Sequence, residues 1–139
     1  MFRARYMILF ESRTLAGSTN ERDAKFFDIY EITSDGYKRT MLYRNDTGFD
    51  FGAISRDKRW IALVKPRTTN DSDIHLYDTR TKSLKNITAH SGNVNSSPAE
   101  FTPDGRALYF ITDAGRDLVS LSLTLRVYAV RRSKASGER

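Results

Sequence analysis

Few residues in this sequence have the types needed for chemistry. His75 and His90 are its two histidines and cysteine is absent, so two imidazoles are available as general bases, while thiolate nucleophiles, disulfides and cysteine-held metals are excluded. His75 alternates with Ile74 and Leu76 at the period of a strand, which reads as a side-facing structural residue. His90 is followed by Ser91, but a nucleophile and its base are assembled in space, so this adjacency makes no dyad. No Gly-x-Ser-x-Gly elbow occurs anywhere in the chain. The expectation is therefore no catalytic residue and no cofactor.

The carboxylates read the same way. Asn70-Asp71-Ser72-Asp73 places two of them in one loop, yet calcium wants six or more oxygens and no later carboxylate completes the set. A solvated turn, with Asp73 bonded to backbone, is the expected role, and no metal site is expected. Asp57 and Asp104 are read as turn formers, the second inside Thr102-Pro103-Asp104-Gly105. Asn-x-Ser/Thr triplets begin at Asn45, Asn70, Asn86 and Asn95, and turns rich in these residues produce them by chance. The basic residues Arg126, Arg131, Arg132, Lys134 and Arg139 lack an amphipathic pattern and read as a solvated, frayed end.

What positions these residues is a repeat. Phe27-Asp28-Ile29-Tyr30-Glu31 returns as Ser72-Asp73-Ile74-His75-Leu76-Tyr77-Asp78, with Asp28 and Asp73 45 residues apart. The stretch from Ile54 to Val64 returns as Phe101 to Ile111 at a spacing of 47. A period near 45 containing short strand signals is that of four-stranded propeller blades. Pro103 presets φ at the second turn position, Asp104 caps the backbone and Gly105 supplies the left-handed residue of a bulged hairpin. In the earlier copy, Ser55-Arg56-Asp57-Lys58, Lys58 falls at that left-handed position, at a steric cost. Leu108 to Ile111 is continuously apolar, as suits a strand covered on both faces.

The expected architecture is all-β: an incomplete β-propeller of about two and a half to three four-stranded antiparallel blades. Residues 1–46 form a partial first blade, with strands at 6–10, 26–32 and 37–43 and a polar loop over 12–25. Residues 47–90 form a complete blade, with strands at 49–54, 60–64, 74–77 and 84–88. Residues 91–125 begin a third with strands at 98–101 and 107–111; its next strand is either 118–123 or 126–130. Residues 126–139 are a basic tail.

At 139 residues, 39% hydrophobic and 12% aromatic, the chain can bury a core. Its longest contiguous apolar stretches, such as Trp60 to Val64 and Ala107 to Ile111, are five residues, and no membrane partner is expected. The net charge of +6 is uneven: residues 1–117 hold 18 basic and 16 acidic side chains, residues 118–139 five and one. The body therefore lacks the basic stripe of a nucleic-acid binder, and no nucleic-acid partner is expected. Compartment is not encoded. Propellers close with four to eight blades, about 180 residues or more at this period, so open blade edges and self-association are expected.

The ordered pieces Asp50-Phe51-Gly52-Ala53-Ile54-Ser55, Asp73 to Asp78, His90-Ser91-Gly92-Asn93-Val94, Ser97-Pro98 and Thr102-Pro103-Asp104-Gly105, followed by Thr112 to Arg116, resemble the N-terminal propeller of prolyl-oligopeptidase-family serine peptidases. The Thr-Pro-Asp-Gly turn is shared with TolB-like and WD-repeat-like propellers. The resemblance implies a non-catalytic propeller that gates peptide access to a C-terminal α/β-hydrolase domain. Its implied partners are that domain, which none of these residues encode, and peptide substrate. The alternative is a TolB-like module that binds a protein partner. Residues 118–139 depart from the family's strand-turn-strand continuation.

Overall fold

In the computed structural model the structure describes the backbone of residues 4–10, 14–113 and 126–131, and the side chains of 14–113. Apolar alternation and turn residues divide these into three sheets. The first runs β1 (Ala4–Phe10), β2 (Thr14–Asp23), β3 (Phe26–Thr33), β4 (Arg39–Tyr43). The second runs β5 (Asp50–Ile54), β6 (Trp60–Thr68), β7 (Asp71–Asp78), β8 (Ser83–Asn86). Both are antiparallel meanders whose spatial order follows the chain. The third contains β9 (Ser96–Phe101), β10 (Ala107–Thr112) and β11 (Arg126–Arg131), ordered β11-β10-β9.

Three expectations are corrected. The loop expected over 12–25 is, across Thr14–Asp23, the ten-residue strand β2, so the first sheet has four strands where three were expected. Its residues Ser18, Thr19 and Asn20 are small and polar yet buried, which hides the strand from a search for apolar alternation. Of the two alternatives for the third sheet's next strand, the one at 126–130 is present as Arg126–Arg131, so the expected basic tail begins with a strand, and it pairs with β10 in parallel, Ala107 opposite Arg126 through Thr112 opposite Arg131. The third sheet is thus mixed where antiparallel pairing was expected. The alternative strand at 118–123, and the basic residues Arg132, Lys134 and Arg139, lie outside the described residues.

The second sheet is covered on both faces, which explains its apolar runs. Ile61, Leu63 and Tyr77 pack with Ala16, Ile29, Tyr43, Phe49 and Ile54 against the first sheet. Ala62, Ile74 and Leu76 pack with Phe101, Leu108 and Phe110 against the third. Alternate residues of β6 and β7 therefore enter two different cores. Gly52 sits at a close approach between the second and third sheets: a Cβ there would lie 2.2 Å from Pro98 Cγ and 2.9 Å from the Ala62 carbonyl oxygen.

Candidate functional site

The repeated turns have matching bonds. Ser55 N donates to the Trp60 carbonyl (2.9 Å), Lys58 N to the Ser55 carbonyl (2.9 Å) and Trp60 N to Ser55 Oγ (3.0 Å). Forty-seven residues on, Thr102 N donates to the Ala107 carbonyl (2.9 Å), Gly105 N to the Thr102 carbonyl (2.8 Å) and Ala107 N to Thr102 Oγ1 (3.0 Å). Asp57 Oδ1 accepts from Ser55 Oγ (2.7 Å) and Arg59 N (3.1 Å), and Asp104 Oδ1 from Thr102 Oγ1 (2.6 Å) and Arg106 N (3.0 Å). The Thr102 hydroxyl and the Arg106 amide hold the Asp104 carboxyl below the usual carboxylate range. Pro103 is exposed at the second turn position, and Lys58 and Gly105 both take left-handed φ, 60° and 69°. The two turns abut, a Cβ on Gly105 falling 3.8 Å from Asp57 Oδ1.

At the opposite ends of the strands lies a buried polar cluster. Asp71, Ser72 and Asp73 are buried within β7, which corrects the expected solvated turn. His90, in the connection from β8 to β9, has a side chain only 1% exposed, with Nε2 2.6 Å from Asp71 Oδ1 and Nδ1 2.8 Å from the Thr88 carbonyl. Both partners are acceptors, so both contacts are hydrogen bonds only when the ring is an imidazolium. Asp73 Oδ1 lies 2.9 Å from His90 Nδ1 but receives no hydrogen bond, because that N–H is directed at Thr88; it acts on the ring by charge. The Thr88 carbonyl, then Asp71 and Asp73, raise the His90 pKa against the opposing effect of burial. The His90 bond, helped by Arg67, keeps the Asp71 carboxyl below its ordinary range.

Asp73 Oδ2 accepts from Arg67 Nη2 (2.5 Å) and Asn86 Nδ2 (3.1 Å), side chains in place of the expected backbone partners. Ser72, between the two aspartates, points to the other face of the strand, its hydroxyl donating toward Asn95 Oδ1 or the Ser96 carbonyl (2.8 Å each) and accepting from Ser96 N (3.1 Å). The cluster joins the second sheet to the start of the third. His75 is elsewhere: its ring is edge-on to Phe49 (centroids 4.8 Å), its Nδ1 is buried without a hydrogen bond, and burial lowers its pKa. The sequence suggests Asp71 and Asp73 as a pair in one loop and His90 apart from them; the β6–β7 turn and the β8–β9 connection bring all three together.

A second charged knot ties the first sheet to the β4–β5 connection. Asp28, fully buried, accepts from Arg22 Nε (2.7 Å), Arg22 Nη2 (2.9 Å) and Asn45 N (2.8 Å). The Asn45 amide is consumed by the Phe27 and Phe49 carbonyls and by Gly48 N and Phe49 N. Asn86 and Asn95 also use their side-chain amides internally, while Asn70 is exposed. Among the described residues no group of three or more His, Asp or Glu is placed to hold a metal ion, and no helix is long and apolar enough to cross a membrane.

No family model matches the chain, and no curated protein matches it. Among solved structures, TolB from Acinetobacter baumannii superposes on 84% of this chain with a TM-score of 0.58 at 19% identity. The fold is all-β, that of an incomplete β-propeller. The tricorn protease superposes on 88% of the chain with a TM-score of 0.50 at 20% identity. The chain spans 28% of the length of that TolB chain and 12% of the tricorn protease chain. At such identities the likeness is one of propeller architecture.

Proposed function

We propose that this chain is a non-catalytic propeller segment of a serine peptidase, and that it limits which peptides reach a separate α/β-hydrolase domain. The observation that carries the non-catalytic part is the state of His90. Both ring nitrogens are engaged by acceptors in a side chain sealed from solvent, and Ser72, the serine set between its two aspartates, faces away from it. A general base needs a free nitrogen within reach of a nucleophile. The sequence resemblance and the tricorn protease among the structural neighbours support a peptidase context. A second reading, a TolB-like module that presents its turns to a protein partner, is supported by the TolB superposition.

The test has two parts. The purified chain is assayed against chromogenic peptides and labelled with a serine-directed fluorophosphonate; turnover that the reagent abolishes refutes the non-catalytic reading. The coding sequence downstream is then read. Further propeller repeats followed by Gly-x-Ser-x-Gly support the peptidase, whereas their absence, with a stoichiometric partner recovered by pull-down, supports the second reading.

A further inference from the structure

The antiparallel meanders sort the connections to two ends of the sheets. The hairpin turns β3–β4, β5–β6, β7–β8 and β9–β10 share one end: Lys58 is ion-paired with Glu31 across the first two sheets, Arg59 with Asp78 across β6 and β7, and the Gly105 turn abuts Asp57. The β2–β3, β4–β5, β6–β7 and β8–β9 connections, with the Asp28 and His90 knots, lie at the other. Charge follows this division. Residues 34–38, 55–59, 78–82 and 102–106 of the turn rim hold seven basic and four acidic side chains, whereas residues 21–25, 44–49, 67–73 and 87–95 hold four and five.

The rim's acids are largely committed to internal bonds. Asp57 and Asp104 cap their own turns and Asp78 is buried against Arg59. Lys38, Arg56, Arg80, Lys82 and Arg106 are exposed. None of these five forms an ion pair among the described residues.

Backbone conformation supplies an independent observation. Every non-glycine residue with positive φ among the described residues, Tyr37 (52°), Lys58 (60°) and Lys82 (61°), sits on this rim beside Gly36 and Gly105, while at the other end the positive-φ residues described are the glycines Gly48 and Gly92. A side chain in that region costs free energy that glycine does not. Retained strain of this kind marks positions where the side chain is wanted. Here it displays a lysine and a tyrosine, Tyr37 being 81% exposed, and tyrosine and arginine are the side chains that anchor protein contacts.

We propose that the turn rim binds an acidic stretch of polypeptide, with Tyr37 as its aromatic contact and Arg56, Arg80 and Lys82 as its charge contacts. This rests on the reading of the chain as a polypeptide-handling propeller and names the chemistry of what it holds. Single-stranded nucleic acid is the less favoured occupant because it needs several free aromatic faces. The Tyr30 and Trp60 rings are already covered by the Arg39 and Arg59 guanidinium groups, at 4.5 and 4.7 Å from the ring centroids.

The experiment measures fluorescence anisotropy of a labelled ten-residue Glu/Ala peptide on the full chain at low and high salt. A Lys/Ala peptide, an uncharged Ser/Ala peptide and a ten-nucleotide RNA are run beside it. Binding of the acidic peptide is expected to weaken with salt and to fall about tenfold in Arg56→Glu/Arg80→Glu/Lys82→Glu, while Lys25→Glu/Arg44→Glu at the other end changes it less than about twofold. Tyr37→Ser is expected to weaken binding without altering its salt dependence. Unfolding curves confirm that the variants, all at exposed positions, remain folded. Equal losses from both charge reversals, or RNA binding tighter than the acidic peptide and lost with the rim, overturn the inference. Rim-independent capture of the Lys/Ala or Ser/Ala peptide overturns the inference alone and leaves the polypeptide-handling reading standing. No binding of any of the three peptides counts against both.

Discussion

The left-handed residues of the paired turns allow a quantitative test of the turn chemistry. Lys82 is exposed, has φ 61°, and its N–H donates to the Asp78 carbonyl, a bond that any residue keeps. Relieving the left-handed strain gains about 1.5 kcal/mol, and glycine's larger unfolded-state entropy costs about 0.75 kcal/mol, so Lys82→Gly is expected to stabilise by about 0.7 kcal/mol, or about 3 °C in Tm. Lys58→Gly starts from the same strain but also deletes the ion pair with Glu31, whose side chains are 17% and 21% exposed. A pair so placed is worth about 0.5 kcal/mol, and the substitution comes out nearly neutral. In a Glu31→Gln background the pair is already gone, so Lys58→Gly should recover the stabilisation seen at Lys82. Gly105→Lys, the reverse change at the position 47 residues on, should destabilise by about as much as Lys82→Gly stabilises. Urea and thermal unfolding followed by circular dichroism measure all of these. A destabilising Lys82→Gly refutes the strain argument, and additivity between Lys58→Gly and Glu31→Gln refutes the role given to the ion pair.

Gly52→Ala should destabilise by about 3 kcal/mol, since its methyl must displace the Pro98 ring or the Ala62 carbonyl, and Pro98→Ala should restore part of the loss; unfolding midpoints of the two single variants and the double variant check this. Asp28→Asn should cost about 2 kcal/mol at neutral pH, because Arg22 loses its two-point bond to the buried carboxylate and keeps only the exposed Asp46. Burial raises the Asp28 pKa, but the Arg22 and Asn45 bonds together outweigh it and the net shift is downward, so this stabilisation is present above the unfolded carboxylate pKa and the gap between wild type and variant should close as pH falls through the folded value. The His90 pKa is raised from 6.5, so the stability that His90 confers relative to His90→Gln should be fully present below that value and disappear as pH rises through the folded pKa. Paired urea titrations from about pH 5 to about pH 9 would show a constant gap if His90 were neutral in the fold.

Much of the architecture was legible because one physical signal repeats. Ile61 to Leu63 are apolar without alternation because both faces of the strand are covered; Leu108 to Phe110 repeat the pattern, but against the expected cover on both faces Tyr109 is 41% exposed, and the two turns share the same Ser/Thr and Asp donor-acceptor pattern. The left-handed geometry at Lys58 followed from its register with Gly105. Strand β2 was hidden because small polar residues fill its buried positions, a pattern that hydrophobic periodicity does not detect. The His90 cluster was hidden for another reason. Asp71 and Asp73 have loop-like neighbours in sequence, and their burial is made tolerable by Arg67, four and six residues before them, together with a histidine 17 or more residues after. The local sequence around Asn70 offers the arginine but not the histidine.

The third sheet shows how strongly the repeat constrains what sits beside it. β10 has the register of β6, with Leu108 and Phe110 entering the core shared with the second sheet, so its backbone must find a partner on the side away from β9. In the second sheet that partner is β7, delivered by the Thr69-Asn70 turn in antiparallel register. In the third sheet it is β11, in parallel register after an intervening 113–125, a length that meets the dozen or so residues a parallel connection requires. The outward face is less complete: Tyr109, opposite Tyr128 in the parallel ladder, is 41% exposed, whereas Ala62, its counterpart 47 residues earlier, is sealed. A parallel pair is slightly less stable per residue than an antiparallel one. With one face less covered and a weaker ladder, the β10–β11 pairing should open at lower cost than β6–β7. Amide hydrogen exchange should therefore be faster at Ala107–Thr112 than at Ile61–Val64, and the opposite ranking would refute the account of β11 as a marginal partner.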